Sequence, residues 1–224
     1  MQRLFKLTEE GVFPSPEPYW TEDNTYGEFA VGGSLSPKWL VAAYSMGAFP
    51  FYAYKLERLK WVCPKDRFVI FPEKIHVSHS MKQVIRKGEF DYSIDEAFEH
   101  VIDFCGRLRE DELFAWLGPD MKEAYIRLHE MGYAHSVEVW KDDYLVGGLY
   151  GIKLGNCFFG ESMFSLEPNA SKFALIALSS ALMGQGGFID CQYETDHLLS
   201  MGGEHITYQE YMSILKAQDF APVE

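Results

Sequence analysis

The sequence predicts an α+β fold in which a small N-terminal domain precedes a larger mixed layer of sheet and helices. Three observations predict it. Helix signals crowd residues 78–131; β-formers fill 136–165, broken at Asp142-Asp143 and Gly155-Asn156; an apolar helix then leads into the strand-like FIDCQ, residues 188–192. The 224 residues suit one large domain or an ordinary domain with a small one attached. We place the seam near residues 66–69, giving a domain of 1–68 and a domain of 69–224.

Taken in order, FPSPEP (13–18) and Gly32-Gly33 read as turns. In SLSPKWLVAAYSMGAFP, Ser36 is an N-cap and Pro37 the first helical residue; Gly47 stops the helix and Pro50 prevents its return. RLKWVCPKDRFVIFP holds two short strands divided by Pro64 and closed by Pro72. Ser78 to Lys87 is a short basic helix ended by Gly88. Ser93 and Glu96 form a capping box for a helix through about Leu108. A helix from Pro119 to Met131 ends at Gly132, and an antiparallel meander follows. ASKFALIALSSALMGQGG is apolar on most faces through Phe173, Leu175, Ile176, Leu178 and Leu182. Thr207 and Glu210 form a second capping box for the last helix.

Composition narrows the function classes. With 47% hydrophobic and 24% charged residues the chain is globular. The start lacks the apolar core of a signal peptide and no apolar run spans a bilayer, so a cytoplasmic protein is expected. Four scattered cysteines, Cys63, Cys105, Cys157 and Cys191, read as reduced thiols, and no metal site or cofactor is expected. The net charge of −13 argues against generic nucleic-acid binding. Its distribution is uneven: residues 55–87 carry +6, whereas 88–224 carry −16. That basic island is either a solvated surface or a local, salt-sensitive phosphate contact.

The FIDCQ stretch raises a chemical question. In an extended chain Asp190 and Gln192 point to one side, so that a carboxylate and an amide could hold one substrate group; alternatively the strand merely reaches the surface there. Glu161 sits among Phe158, Phe159 and Met163, where a carboxylate is costly unless paired. It is either neutralised by an internal cation such as Lys172 or turned toward a substrate amine.

Several stretches together, FPSPEP, GGSLSPKWLVAAYSMGAFPF, HVSHSMK, RLHEMGYAHSVEVW, LVGGLYG, FFGESMFS, NASKFAL and FIDCQ, resemble the leucyl/phenylalanyl-tRNA–protein transferase family in order and separation, over roughly residues 10–215. The resemblance implies a C-terminal domain with the topology of the GNAT acyltransferases. It implies transfer of Leu, Phe or sometimes Met from aminoacyl-tRNA to the α-amino group of proteins beginning with Arg or Lys, which creates an N-degron. By the family motif, Asp190 and Gln192 stand at the reacting centre, either as a relay in which Asp190 polarises Gln192 or with Asp190 binding the cationic N-terminus. Leu149, Phe158, Met163, Leu175, Leu178, Leu182 and Ile189 match the apolar donor pocket, with Glu161 at its floor; each could equally be ordinary core. Phe51 and Trp116 match aromatics that contact the 3′-terminal adenosine. Lys82, Arg86 and Lys87 would meet acceptor-stem phosphates.

The chain departs from the family pattern at Phe51, Val62, His79 and Ala115, positions tied to the tRNA end. Two rivals are an acyl-CoA-dependent N-acyltransferase and a non-catalytic adaptor for basic N-termini. The first wants a glycine-rich loop before a helix, whereas GQGG (184–187) follows one. The second leaves the basic island without a role.

Overall fold

The computed structural model describes residues 4–8, 12–53, 58–107 and 117–220. They form a mixed α+β structure with a small N-terminal sheet and a larger mixed one. The four-stranded sheet has the order β1-β2-β4-β3 and is built from β1 (Phe5–Lys6), β2 (Glu28–Val31), β3 (Phe49–Ala53) and β4 (Arg58–Val62). Helix α1 (Pro37–Tyr44) connects β2 to β3, with Ser36 at its N-cap and Pro37 opening it.

The chain crosses to the second sheet over residues 63–65, and β5 (Asp66–Ile70) runs through the seam expected near residues 66–69. The seven-stranded sheet has the order β11-β5-β10-β9-β8-β7-β6. Its centre is the meander of β7 (Ala134–Lys141), β8 (Tyr144–Leu154) and β9 (Cys157–Ser165). The first turn places Asp142 and Asp143 at φ 50° and 64°, the left-handed geometry of a tight hairpin and one that Asp tolerates. Strand β6 (Asp91–Ile94) pairs with β7 at one edge and β11 (Glu204–Thr207) with β5 at the other. Between them β10 (Ile189–Asp190) is antiparallel to β5 and parallel to β9.

Strand alternation sorts the core onto two faces. Leu149, Phe158, Val137 and Val139 pack with Leu175, Leu178 and Leu182 of α5 (Ala170–Leu182). Tyr150, Phe159 and Phe164 face the opposite side, with α3 (Phe98–Arg107) and α4 (Pro119–Glu130). The second cluster continues without a break into Phe29, Leu40, Trp61 and Val62 of the smaller sheet, and into Tyr211 and Leu215 of α7 (Tyr208–Lys216).

The capping box of Thr207 and Glu210 is formed, and Ser78 caps α2 (His79–Lys87), which Gly88 ends at φ 63°. Ser93 does not cap α3. It lies inside β6, where its hydroxyl donates to Glu138 at 2.6 Å and accepts from the Trp140 indole at 2.8 Å. A Ser-x-x-Glu pattern cannot distinguish a helix start from a strand whose serine serves a cross-strand carboxylate. FIDCQ is also shorter as a strand than its pattern suggests: β10 ends at Asp190, and Gln192 turns away at φ 63°.

One glycine carries weight for the site. The register of β8 and β9 shifts between Tyr150 and Gly151, leaving Glu161 as the extra residue of a β-bulge. A Cβ at Gly151 would stand 2.1 Å from the Phe159 carbonyl oxygen. Gly151→Ala is therefore expected to cost about 1–3 kcal/mol through overpacking. At about 2–4 °C per kcal/mol for a chain of this size, a thermal melt would show the loss directly.

Candidate active site

The cavity arises because two parallel strands part company. Ile189 pairs with Phe158 and Asp190 with Phe159, after which β9 continues to Ser165 while the other chain turns off. The gap is a cavity of about 450 Å³, within the usual range for a small-ligand site. Leu149, Phe158, Met163, Leu175, Leu178 and Ile189 line its apolar part. Glu161, Asp190 and Gln192 form the polar wall, beside Cys191, Tyr193, Thr195 and His197. Leu182 is buried in the same core but is not among the lining residues.

The polar wall is a connected network. Asp190 is 1% exposed, and Arg67 beneath it is fully buried. Arg67 donates through Nη2 to Asp190 Oδ2 and through Nη1 to the Gly47 carbonyl. Its guanidinium lies 4.3 Å from the Tyr211 ring centroid, and Tyr211 donates its hydroxyl to Asp190 Oδ2 at 2.7 Å. Burial alone would lower the Arg67 pKa, but the Asp190 carboxylate more than offsets this and holds the guanidinium charged. The other Asp190 oxygen accepts the Gln192 backbone N–H at 2.8 Å.

Asp190 and Gln192 do not present one shared face, because Gln192 lies beyond the strand in a left-handed conformation. They meet through the Gln192 backbone N–H, which donates to Asp190 Oδ1. The Gln192 side chain instead donates Nε2 to Glu161 Oε1 at 3.0 Å.

Glu161 is half-buried on the cavity wall. Among the described residues its hydrogen-bond partners are Gln192, Tyr44 and Tyr125, not Lys172. Each tyrosine hydroxyl donates to it at 2.7 Å, and the two hydroxyl oxygens are themselves 2.7 Å apart. Burial pushes the Glu161 pKa up to about 7 against the pull of these donors.

Sequence reasoning missed Arg67, Tyr44, Tyr125 and Tyr211. A signal existed for two of them: Arg67 directly precedes the apolar run FVI, in a strand that is buried from Arg67 onward, and Tyr44 lies on the apolar face of α1, where a hydroxyl needs a partner. Of the remaining expected residues, Phe51 lies on β3 opposite Lys60, 39% exposed, and Trp116 falls outside the described residues, as does Ala115. Lys82, Arg86 and Lys87 are exposed on α2, and His79 opens that helix. Val62 is buried in β4. All four cysteines are free thiols; the glycine-rich turn after α5 gives its Gly184 N–H to the Glu73 carboxylate at 2.8 Å. Among the described residues there is no group of three metal-ligating side chains, and no helix is long and apolar enough to cross a membrane.

An apolar hole closed at one end by hydrogen-bond donors and a carboxylate can seat a hydrophobic side chain while polar groups handle the atoms attached to it, an arrangement compatible with acyl transfer. The family models identify it further. The leucyl/phenylalanyl-tRNA protein transferase model matches residues 69–216, and the model of that family's N-terminal domain matches 33–65. A leucyl/phenylalanyl-tRNA–protein transferase from Azoarcus sp. is 46% identical over 94% of this chain and 88% of its own length. One from Syntrophus aciditrophicus is 48% identical over 92% and 84%, and one from Myxococcus xanthus 42% identical over 95% and 90%. The chain belongs to the leucyl/phenylalanyl-tRNA–protein transferase family. A conserved protein of unknown function from Bacteroides thetaiotaomicron overlaps it with a TM-score of 0.42, at 9% identity over 77% of this chain and 59% of that one, too loosely to bear on the fold.

Removing one partner of the Arg67–Asp190 pair should be costly. Arg67→Met would strand a buried carboxylate, at a cost of about 3–5 kcal/mol. Urea denaturation should show it as a lower midpoint at unchanged slope, with Arg67→Lys less damaging because it keeps the charge.

Proposed function

We propose that the protein transfers Leu, Phe or Met from aminoacyl-tRNA to the α-amino group of a protein beginning with Arg or Lys, and that the product is an N-degron. One observation carries the reading: the apolar cavity ends at Gln192 and Tyr193, and these same two residues also line a second cleft of about 470 Å³. A donor side chain in the first and an acceptor residue in the second would meet at Gln192. The second cleft carries Glu22, Asp66 and Glu194 together with Trp20 and Tyr193. Carboxylates suit a guanidinium or ammonium, and aromatic rings suit its aliphatic stem. Lys65 and His205 also line it, and His205 is paired with Glu194 at 2.8 Å.

The aminoacyl ester is already activated, so the protein's main tasks are to align amine and ester, to stabilise a developing oxyanion and to accept a proton. In this reading Gln192 stands at the reacting centre, its amide Nε2 engaged by Glu161 and its oxygen free to accept from the amine. Asp190 acts as its positioning partner: with both oxygens engaged and almost no exposure, it is a poor direct anchor for a cationic N-terminus. The parallel β9–β10 pair that opens into the cavity suits an acyltransferase of GNAT topology, with residues 1–68 as an accessory domain. Phe51 and Trp116 serve the terminal adenosine, and exposed Lys82, Arg86 and Lys87 meet acceptor-stem phosphates. Substrates that are tRNAs and nascent or cleaved proteins place the enzyme in the cytoplasm.

Incubation with leucyl-tRNA and an Arg-initiated peptide tests the reading. Leucine should appear on the peptide's α-amino group, whereas acetyl-CoA-dependent modification or binding without transfer would refute it. Reversing the charges of Lys82, Arg86 and Lys87 should raise KM for aminoacyl-tRNA and flatten its dependence on salt. Leu178→Trp, which fills the cavity from α5, should reduce transfer of Phe more than of Leu. The discrimination gained is on the scale of about 1–3 kcal/mol per methylene for an apolar pocket.

A further inference from the structure

Three oxygen contacts connect Tyr44, Tyr125 and Glu161, each of 2.7 Å. When Glu161 is ionised, the two hydroxyls supply two protons for these three contacts. Both are given to the carboxylate, and the contact between the tyrosines has no donor. A third proton completes the ring: the carboxylic acid donates to one tyrosine, that tyrosine to the other, and the second back to the carboxyl. The triangle is therefore one proton short whenever Glu161 is charged. Of its three members Glu161 lines the cavity, and its carboxyl also accepts from Gln192 Nε2.

Resting on the transferase reading above, we propose that Glu161, held by Tyr44 and Tyr125, is the base that takes the proton from the acceptor's α-ammonium group. The balance is simple. The ammonium gives one proton to Glu161 and becomes a neutral amine. Its nitrogen lone pair forms the C–N bond to the ester carbonyl carbon. The C–O bond to the ribose then breaks, and the second N–H proton ends on the departing ribose oxygen. Glu161 later releases its proton to solvent. Overall, ammonium and ester become amide, free ribose hydroxyl and one proton.

The surroundings favour this carboxylate over its neighbour. Asp190 spends its charge on Arg67 and is almost wholly buried where it meets the cavity, whereas Glu161 is only partly buried and has no cation among its described hydrogen-bond partners. The groups facing Glu161 are Tyr44 from α1, Tyr125 from α4, Gln192 after β10, and the Asp190 charge, which pushes the Glu161 pKa the same way that burial does. His197, from α6 (Asp196–Ser200), also lines the cavity; burial and the Lys172 charge lower its pKa and so disfavour its charged form. A base titrating at about 7 suits an α-amino group, whose ordinary pKa is about 7.7–8.0.

The test is the pH dependence of kcat for Leu transfer to an Arg-initiated peptide, with both substrates saturating. Wild-type kcat should rise with unit slope through about pH 7, as Glu161 ionises. Glu161→Gln should lower kcat by about 10²–10⁴-fold and abolish that limb. The two hydroxyls stabilise the ionised form, so Tyr44→Phe and Tyr125→Phe should each move the limb to higher pH. A merely structural role would lower kcat evenly and leave the limb in place. These two variants keep the idea falsifiable even if Glu161→Gln fails to fold. In the free protein, a 13C-labelled glutamate carboxyl titrating near pH 7 and absent from Glu161→Gln would agree. Wild-type transfer with a limb unmoved in both tyrosine variants would overturn this assignment and leave the transferase reading standing. Absence of wild-type transfer would remove both.

Discussion

The ion pair between Arg67 and Asp190 is the constraint on which the rest of the site depends. It joins the neighbouring strands β5 and β10 of the larger sheet, and through the Gly47 carbonyl it reaches the segment after α1. Tyr211 adds α7 to the same knot. Two charges this deep are tolerated because nearly every polar atom around them has a partner. Their net effect on stability is modest in such cases. Their effect on geometry is large, since four parts of the chain must meet for either charge to be buried at all.

From that knot the cavity follows. Asp190 takes the Gln192 backbone N–H and thereby stabilises the left-handed turn that pulls the chain away from β9. With the strand interrupted, β9 loses its neighbour beyond Phe159, and the space fills with Leu149, Met163, Leu175 and Leu178 on one side and the polar wall on the other. The bulge opposite Gly151 turns Glu161 toward Tyr44 and Tyr125, on the face away from α5. The cavity is thus apolar where α5 covers it and polar where α1 and α4 approach.

Much of this was legible in residues. The α5 helix, the meander with its Asp-Asp and Gly-Asn turns, and the Thr207 capping box are local patterns, readable because periodicity and turn chemistry act over a few neighbours. Ser93 shows the limit: the same spacing that caps a helix serves in β6 to bridge Glu138 and Trp140. The residues that line the apolar cavity could be named only through the family motif, since an apolar residue lining a cavity and one filling a core look alike in sequence.

The sequence by itself determined the α+β class, the order of its elements, the family and the residues of the FFGESMFS and FIDCQ motifs. Only the tertiary structure decided how those motifs are used. It showed that Asp190 is spent on Arg67, that Gln192 turns from Asp190 toward Glu161, and that burial, against the pull of two tyrosines from α1 and α4, raises the proton affinity of Glu161. The physical reason is separation along the chain. Arg67 and Asp190 lie 123 residues apart, and Tyr44 and Glu161 lie 117 apart. No local pattern records which buried donor will find which buried acceptor once the core closes around them.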